Sequence, residues 1–121
     1  MQLDWNLILA NLGAVATTAL GALGLFAPTR AAAFTSLAPD GPNGTSEIRA
    51  TYGGLFAALG LWCLLAQSPT VFTVAGVAWV GAAVGRGWSV LVDRNVDTKN
   101  LGGIVFELAI GLLLLAPRWG V

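Results

Sequence analysis

Five residues in this 121-residue chain bring reactive or strongly polar groups into otherwise apolar surroundings: Glu47, Arg49, Tyr52, Arg86 and Glu107. A carboxylate in such a place accepts hydrogen bonds or carries a proton. A guanidinium presents a planar fork of donors suited to a carboxylate or to the polar end of a ligand. The Tyr52 phenol can do either, since its hydroxyl both gives and takes a hydrogen bond. Other chemistries lack their residues. The chain has no histidine, which removes His-based acid–base catalysis and metal or haem ligation through imidazole. Cys63 is the only cysteine and sits in an apolar run, so it reads as a small buried hydrophobe, and no metal site or cofactor is expected.

The elements that position these groups follow from composition. Hydrophobic residues make up 56% of the chain and charged ones 10%, against roughly 25% charged in a soluble domain. A chain this short cannot hide so much apolar surface from water. Lipid must cover most of it. Four windows have the length and character of membrane spans: residues 5–27, 47–66, 71–92 and 101–119. The predicted fold is all-α, a single-domain integral membrane four-helix bundle with antiparallel neighbours. The start of the chain has no Lys or Arg before its first apolar run, so that run is expected to be a retained span and not a cleaved leader.

The connections are legible too. Ser68-Pro69 is a helix start, with Ser as N-cap and Pro in the first turn. Asn100 is expected to cap the fourth helix. Between the first two spans, Arg30 to Leu37 reads as a short interfacial helix on the loop side, and Pro39 to Gly44 as consecutive turns. Arg30, Arg94 and Lys99 fall on the loop side, with Arg49 just inside the second span, and Arg118 on the side of the termini. That bias puts the loops in the cytoplasm and the termini outside. Trp5, Trp62 and Trp119 would anchor the terminal side.

Depth brings the charges together. Arg86 is six residues before the end of its span at Val92, and Glu107 six residues after the start of its span at Leu101. At about 1.5 Å per residue both lie roughly 9 Å from the loop-side boundary, level with each other in antiparallel helices. Arg49 and Tyr52 enter the second span from that same side. Small residues mark the facing surfaces. Gly103 and Gly111 flank Glu107 at spacings of four, Ala78 and Ala82 share a face with Arg86 beside Gly81 and Gly85, and Arg49, Gly53, Ala57 and Gly60 line up along the second span, with Gly53-Gly54 as a packing notch. The Arg86–Glu107 pair admits two readings, an interhelical clamp or part of a polar pocket.

The run Glu47-Ile48-Arg49-Ala50-Thr51-Tyr52-Gly53-Gly54-Leu55, with Gly60, Gly85-Arg86 and Glu107, resembles a bacterial family of small four-helix membrane proteins catalogued as domain of unknown function 4345. More distantly, the Tyr-Gly element and size are similar to DoxX-like and ergosterol-scaffold membrane proteins. The first resemblance covers nearly the whole chain. It implies a bacterial inner-membrane protein whose signature positions include Glu47, Arg49, Tyr52, Gly53, Gly54, Arg86 and Glu107, and it supplies no reaction.

Three functions are compatible with these residues. The first expectation is a non-enzymatic accessory or scaffold protein, packing against a larger membrane complex or against copies of itself. The alternative is a binder or carrier of a small amphipathic ligand (lipid, quinone or isoprenoid) at the Arg–Glu–Tyr cluster. An isomerase using Glu107 is less favoured, because a carboxylate paired with a cation is a poor acid and a weak base. Membrane lipids are expected contacts. Nucleic acid is not, since net charge is zero and no basic stripe exists.

Overall fold

The computed structural model describes residues 3–119 of the chain. Every regular element among them is helical: α1 (Trp5–Phe26), α2 (Pro28–Phe34), α3 (Gly41–Ile48), a π-helical segment (Arg49–Leu55), α4 (Phe56–Ala66), α5 (Pro69–Val92) and α6 (Thr98–Trp119). The segment from Gly41 to Ala66 runs on as one span. Among the described residues four helices, of 22, 26, 24 and 22 residues, are long and apolar enough to cross a membrane. At 1.5 Å per residue each exceeds the hydrocarbon thickness of about 30 Å. Helix is the form such segments must take, because lipid offers backbone groups no partner. This is a helical membrane protein.

The chain divides into two compact units. One is Ala14–Ala66; the other joins the described residues up to Gly13 to those from Gln67 onward. In the first, the second span begins at Gly41, six residues before the expected Glu47. Pro42 lies in the first helical turn, where its missing N–H is one that no helix start uses and its fixed φ suits the helix. Residues read as consecutive turns are therefore a helix start. The short helix expected between Arg30 and Leu37 is present as α2. Its Ala31 and Ala32 are buried with Ile48, and Leu23 and Tyr52 pack on that cluster.

The π-helical segment Arg49–Leu55 contains Gly53-Gly54, two residues that stabilise ordinary helix poorly. Its wider turn places the buried Ile48 and Gly53 five residues apart. From there the second span crosses α1 at backbone distance. A Cβ at Gly24 would overlap the Tyr52 carbonyl, one at Gly21 the Ala57 backbone, and one at Gly60 Thr18. Gly53 lies equally close to Leu25 and Gly24. Gly54 differs from the expectation. A Cβ there would meet nothing nearer than the Arg49 carbonyl at 3.8 Å.

In the other unit, α5 and α6 form an antiparallel hairpin. Phe72, Ala75, Gly76, Trp79 and Ala83 are buried along α5, and Asn100, Glu107, Ile110, Gly111 and Leu114 along α6. With Gly103, the α6 positions alternate steps of three and four, the spacing of a helix seam. Gly111 fits against Val80 and the Gly76 carbonyl, and Gly76 against Leu115. The packing stripe of α5 is not the expected face. Ala78, Gly81, Ala82 and Gly85 are exposed, and a Cβ at Gly81 or Gly85 would meet nothing within 4 Å. Gly13 lies against Leu114 and Leu113, which brings the first turns of α1 onto α6.

Polar ties close the unit's connections. Ser68 accepts from the Val71 N–H at 3.4 Å with Pro69 behind it. Asn11 and Gln67 exchange amide hydrogen bonds of 3.0 and 2.7 Å. Arg118 Nε donates to Thr73 Oγ1 at 2.8 Å. At the other turn Asp97, not Asn100, faces the start of α6, accepting from the Lys99 N–H at 2.8 Å. Asn100 donates instead to the Asn95 carbonyl at 3.0 Å.

These two glycine environments predict opposite responses. Gly24→Ala and Gly60→Ala should each destabilise the protein by about 1–3 kcal/mol, the cost of forcing volume into a close crossing. Gly81→Ala should shift stability by no more than about 0.5 kcal/mol. Unfolding midpoints in detergent would measure this, and equal losses at all three positions would refute the crossing.

Candidate intramembrane polar site

Arg86 and Glu107 meet in the α5–α6 hairpin. Arg86 Nε donates to Glu107 Oε1, closing an ion pair between the two helices. Arg86 continues the buried stripe of α5, three residues beyond Ala83, and Glu107 lies on the α6 seam between Gly103 and Ile110. Gly103 makes the approach possible. A Cβ there would lie 2.9 Å from Arg86 Nε, 3.0 Å from Cζ and 3.1 Å from Cδ. The arginine stem thus rests on bare backbone, where any larger residue would lift it.

The two partners are unequally enclosed. The Arg86 side chain is 36% exposed and that of Glu107 is 9% exposed. The fork-to-fork arrangement that the residue types allow is not adopted. Lying over Gly103, Arg86 offers Nε to a single carboxylate oxygen. Glu107 Oε2 is buried and has no hydrogen-bond partner. An enclosed carboxylate oxygen without a donor carries a desolvation cost of order 1–3 kcal/mol or more. It is the most unusual polar atom described in the protein.

The remaining predicted residues lie in the Ala14–Ala66 unit, each with contacts inside it. Arg49 donates through Nη1 to the Leu25 carbonyl. This acceptor belongs to the last turn of α1, where helix carbonyls lack intrahelical partners and a cation complements the dipole. Glu47 is exposed and accepts from Thr51 Oγ1 at 3.0 Å. The Tyr52 ring packs edge-on against Phe56 with centroids 5.9 Å apart. Among the described residues no group of three His, Cys, Asp or Glu is placed to hold a metal ion. A shallow apolar cleft of about 620 Å³ lies elsewhere, lined by Asn6 and Leu9 of α1 and by Ala109, Leu112 and Trp119 of α6.

Sequence reasoning missed the role of Gly103 as a bed for Arg86, although its spacing of four from Glu107 pointed that way. It also missed the Asn11–Gln67 amide pair, which leaves no periodic signal because its partners are 56 residues apart.

Long apolar helices with an ion pair held inside one hairpin define a small multi-pass membrane protein. Residues 6–117 match the family described as Domain of unknown function (DUF4345), and the chain belongs to that family. No curated protein and no solved structure matches it, so the distant DoxX-like resemblance rests on the Tyr52-Gly53 element and size alone.

The ion pair makes a sharp stability prediction. Arg86→Ala leaves an enclosed carboxylate with no cation and should cost about 3 kcal/mol. Glu107→Ala should cost less, because the long, part-exposed arginine side chain can snorkel towards the interface. Replacing both, Arg86→Met with Glu107→Leu, should recover most of the loss. Denaturant unfolding of the four proteins would measure this, and a double variant as unstable as the two singles added together would show that the side chains are not coupled.

Proposed function

We propose that this protein binds or carries a small amphipathic molecule (a lipid, quinone or isoprenoid) by its polar end at Arg86 and Glu107. One observation carries the reading: Glu107 Oε2 is enclosed, beside a guanidinium that spends only Nε on the carboxylate, and lacks a donor. Ionisable groups within membrane spans are costly, and those that persist are paired or placed at ligand and ion pathways. This pair is matched on one oxygen and unmatched on the other. A ligand head group supplying the missing donor would remove the penalty and be held by it.

A second reading, an accessory or scaffold protein, is favoured by a different feature. Gly81 and Gly85 of α5 open onto space, with Val77, Val84 and Trp88 exposed around them. Spacings of small residues by four let membrane helices approach closely. A partner subunit or a second copy of the chain would find such a face there.

The compartment proposed is the bacterial inner membrane, with the loops containing Arg30, Arg94 and Lys99 in the cytoplasm and both termini outside. On a Cys63→Ala background, a membrane-impermeant maleimide applied to intact cells with a permeable outer envelope should label Leu3→Cys and spare Asp97→Cys. The reverse pattern would invert the orientation.

The binding reading is tested by lipid analysis of protein purified in mild detergent. Wild type should retain a defined amphipathic molecule at near-stoichiometric level, and Arg86→Ala should lose it while remaining helical and monodisperse. A ligand-free spectrum, or one unchanged by the substitution, would count against binding at this pair.

A further inference from the structure

The donors and acceptors left over at the ion pair specify the chemistry of the head group. Once Arg86 Nε is bonded to Glu107 Oε1, two kinds of capacity remain. Glu107 Oε2 can accept and has no partner. The guanidinium retains the N–H groups of its two terminal nitrogens on a side chain 36% exposed. These are an acceptor and a set of donors on one ion pair, whose charges cancel.

Each head-group class meets this arrangement differently. A phosphate or carboxylate would satisfy the guanidinium but bring a second negative charge to an enclosed carboxylate. An ammonium would satisfy Oε2 but stand beside the guanidinium. Like charges repel strongly where water is scarce. An ether, ester or ketone only accepts, so it would leave Oε2 as it is. A hydroxyl gives one hydrogen bond and accepts others without bringing charge. It answers both needs with a single small uncharged group.

We infer that the ligand of the Arg86–Glu107 site is a neutral, hydroxyl-headed apolar molecule, its O–H donating to Glu107 Oε2 and its oxygen accepting from Arg86. This rests on the binding function proposed above and narrows it to alcohols. Arg86 is the exposed member of the pair and the one a head group meets first. Its stem lies on Gly103 without a side chain beneath it, so it can slide along α6 to admit the hydroxyl while Nε keeps or remakes its bond.

Three probes with one apolar chain separate the possibilities: farnesol, farnesyl methyl ether and farnesyl monophosphate. Each is titrated into the purified full-length chain in detergent and followed by native mass spectrometry. Farnesol should bind about tenfold or more tightly than the ether, the difference made by a hydrogen bond to a charged acceptor, and more tightly than the phosphate. Glu107→Gln removes the negative charge and leaves the guanidinium uncompensated, so preference should move from the alcohol to the phosphate. If Glu107→Gln does not fold, Gly103→Ala carries the test. Its methyl lifts the arginine stem, and the alcohol–ether difference should shrink severalfold.

An ether that binds wild type as well as the alcohol, or a phosphate that binds it best, overturns the hydroxyl assignment and leaves the binding function standing. An alcohol–ether difference that neither variant alters overturns it in the same way. If no probe binds wild type above the level of the Arg86→Met/Glu107→Leu protein, the binding function falls with it.

Discussion

Lipid offers no hydrogen bonds, so each polar group inside a span must find its partner within the protein or carry a desolvation cost of several kcal/mol. That constraint decides where the polar side chains of this chain go. Arg49 turns to a carbonyl in the last turn of α1, where the helix leaves acceptors unused. Asn11 and Gln67 pair amide to amide. Arg86 reaches across to Glu107. Each tie joins segments far apart in sequence, and each uses groups that hydrocarbon would penalise singly. The polar residues therefore set which helix faces meet, while the apolar ones leave that choice open.

Glycine sets how closely they meet. Where α1 passes the second span, Gly21, Gly24, Gly53 and Gly60 bring main chain against main chain. Association between helices in lipid gains little from burying apolar surface, so contact of this kind carries the packing. The α5–α6 hairpin works differently. Larger side chains such as Phe72, Trp79 and Leu114 fill the seam, and within that seam Gly76 and Gly111 stand where a neighbour needs the space. Gly103 serves a third purpose, since its missing side chain is occupied by the arginine stem.

The sequence made some of this readable. The spans were visible because length and apolar content are sufficient signals for a membrane helix, and the Ser68-Pro69 start because its residues act locally. The start of the second span was not, since Gly41, Pro42 and Gly44 are turn formers by type and only their position at a helix end makes them compatible with helix. The π-helical segment defeated periodic reasoning as well. A face drawn at 3.6 residues per turn through Arg49 and Gly53 cannot survive a widened turn between them. On α5, Ala78, Gly81, Ala82 and Gly85 looked like a packing face because they are small. Phe72, Trp79 and Ala83 proved to define the stripe, with Arg86 at its end. Equal depth in antiparallel helices was enough to bring Arg86 and Glu107 together. The residue types and equal depth suited a contact through both oxygens, and the structure has one, because side-chain torsions that spacing does not constrain lay the arginine across Gly103.

That single-oxygen contact bears on what the pair is for. A clamp evolved for stability alone would gain from the bidentate geometry, which satisfies both oxygens and enforces orientation. It would gain more from apolar replacement, since well-packed hydrophobic residues of similar volume often match or exceed a buried ion pair. The chain has neither. Gly103 admits the arginine from the side, Nε alone reaches the carboxylate, and the Arg86 side chain stays part-exposed while Oε2 stays enclosed and unmatched. As a fastening between α5 and α6 this is inefficient, and Gly76 and Gly111 already fit those helices together. As the receptor proposed above it is coherent, for a neutral pair with one acceptor and several donors in reserve would bind a polar group without importing charge into the bilayer.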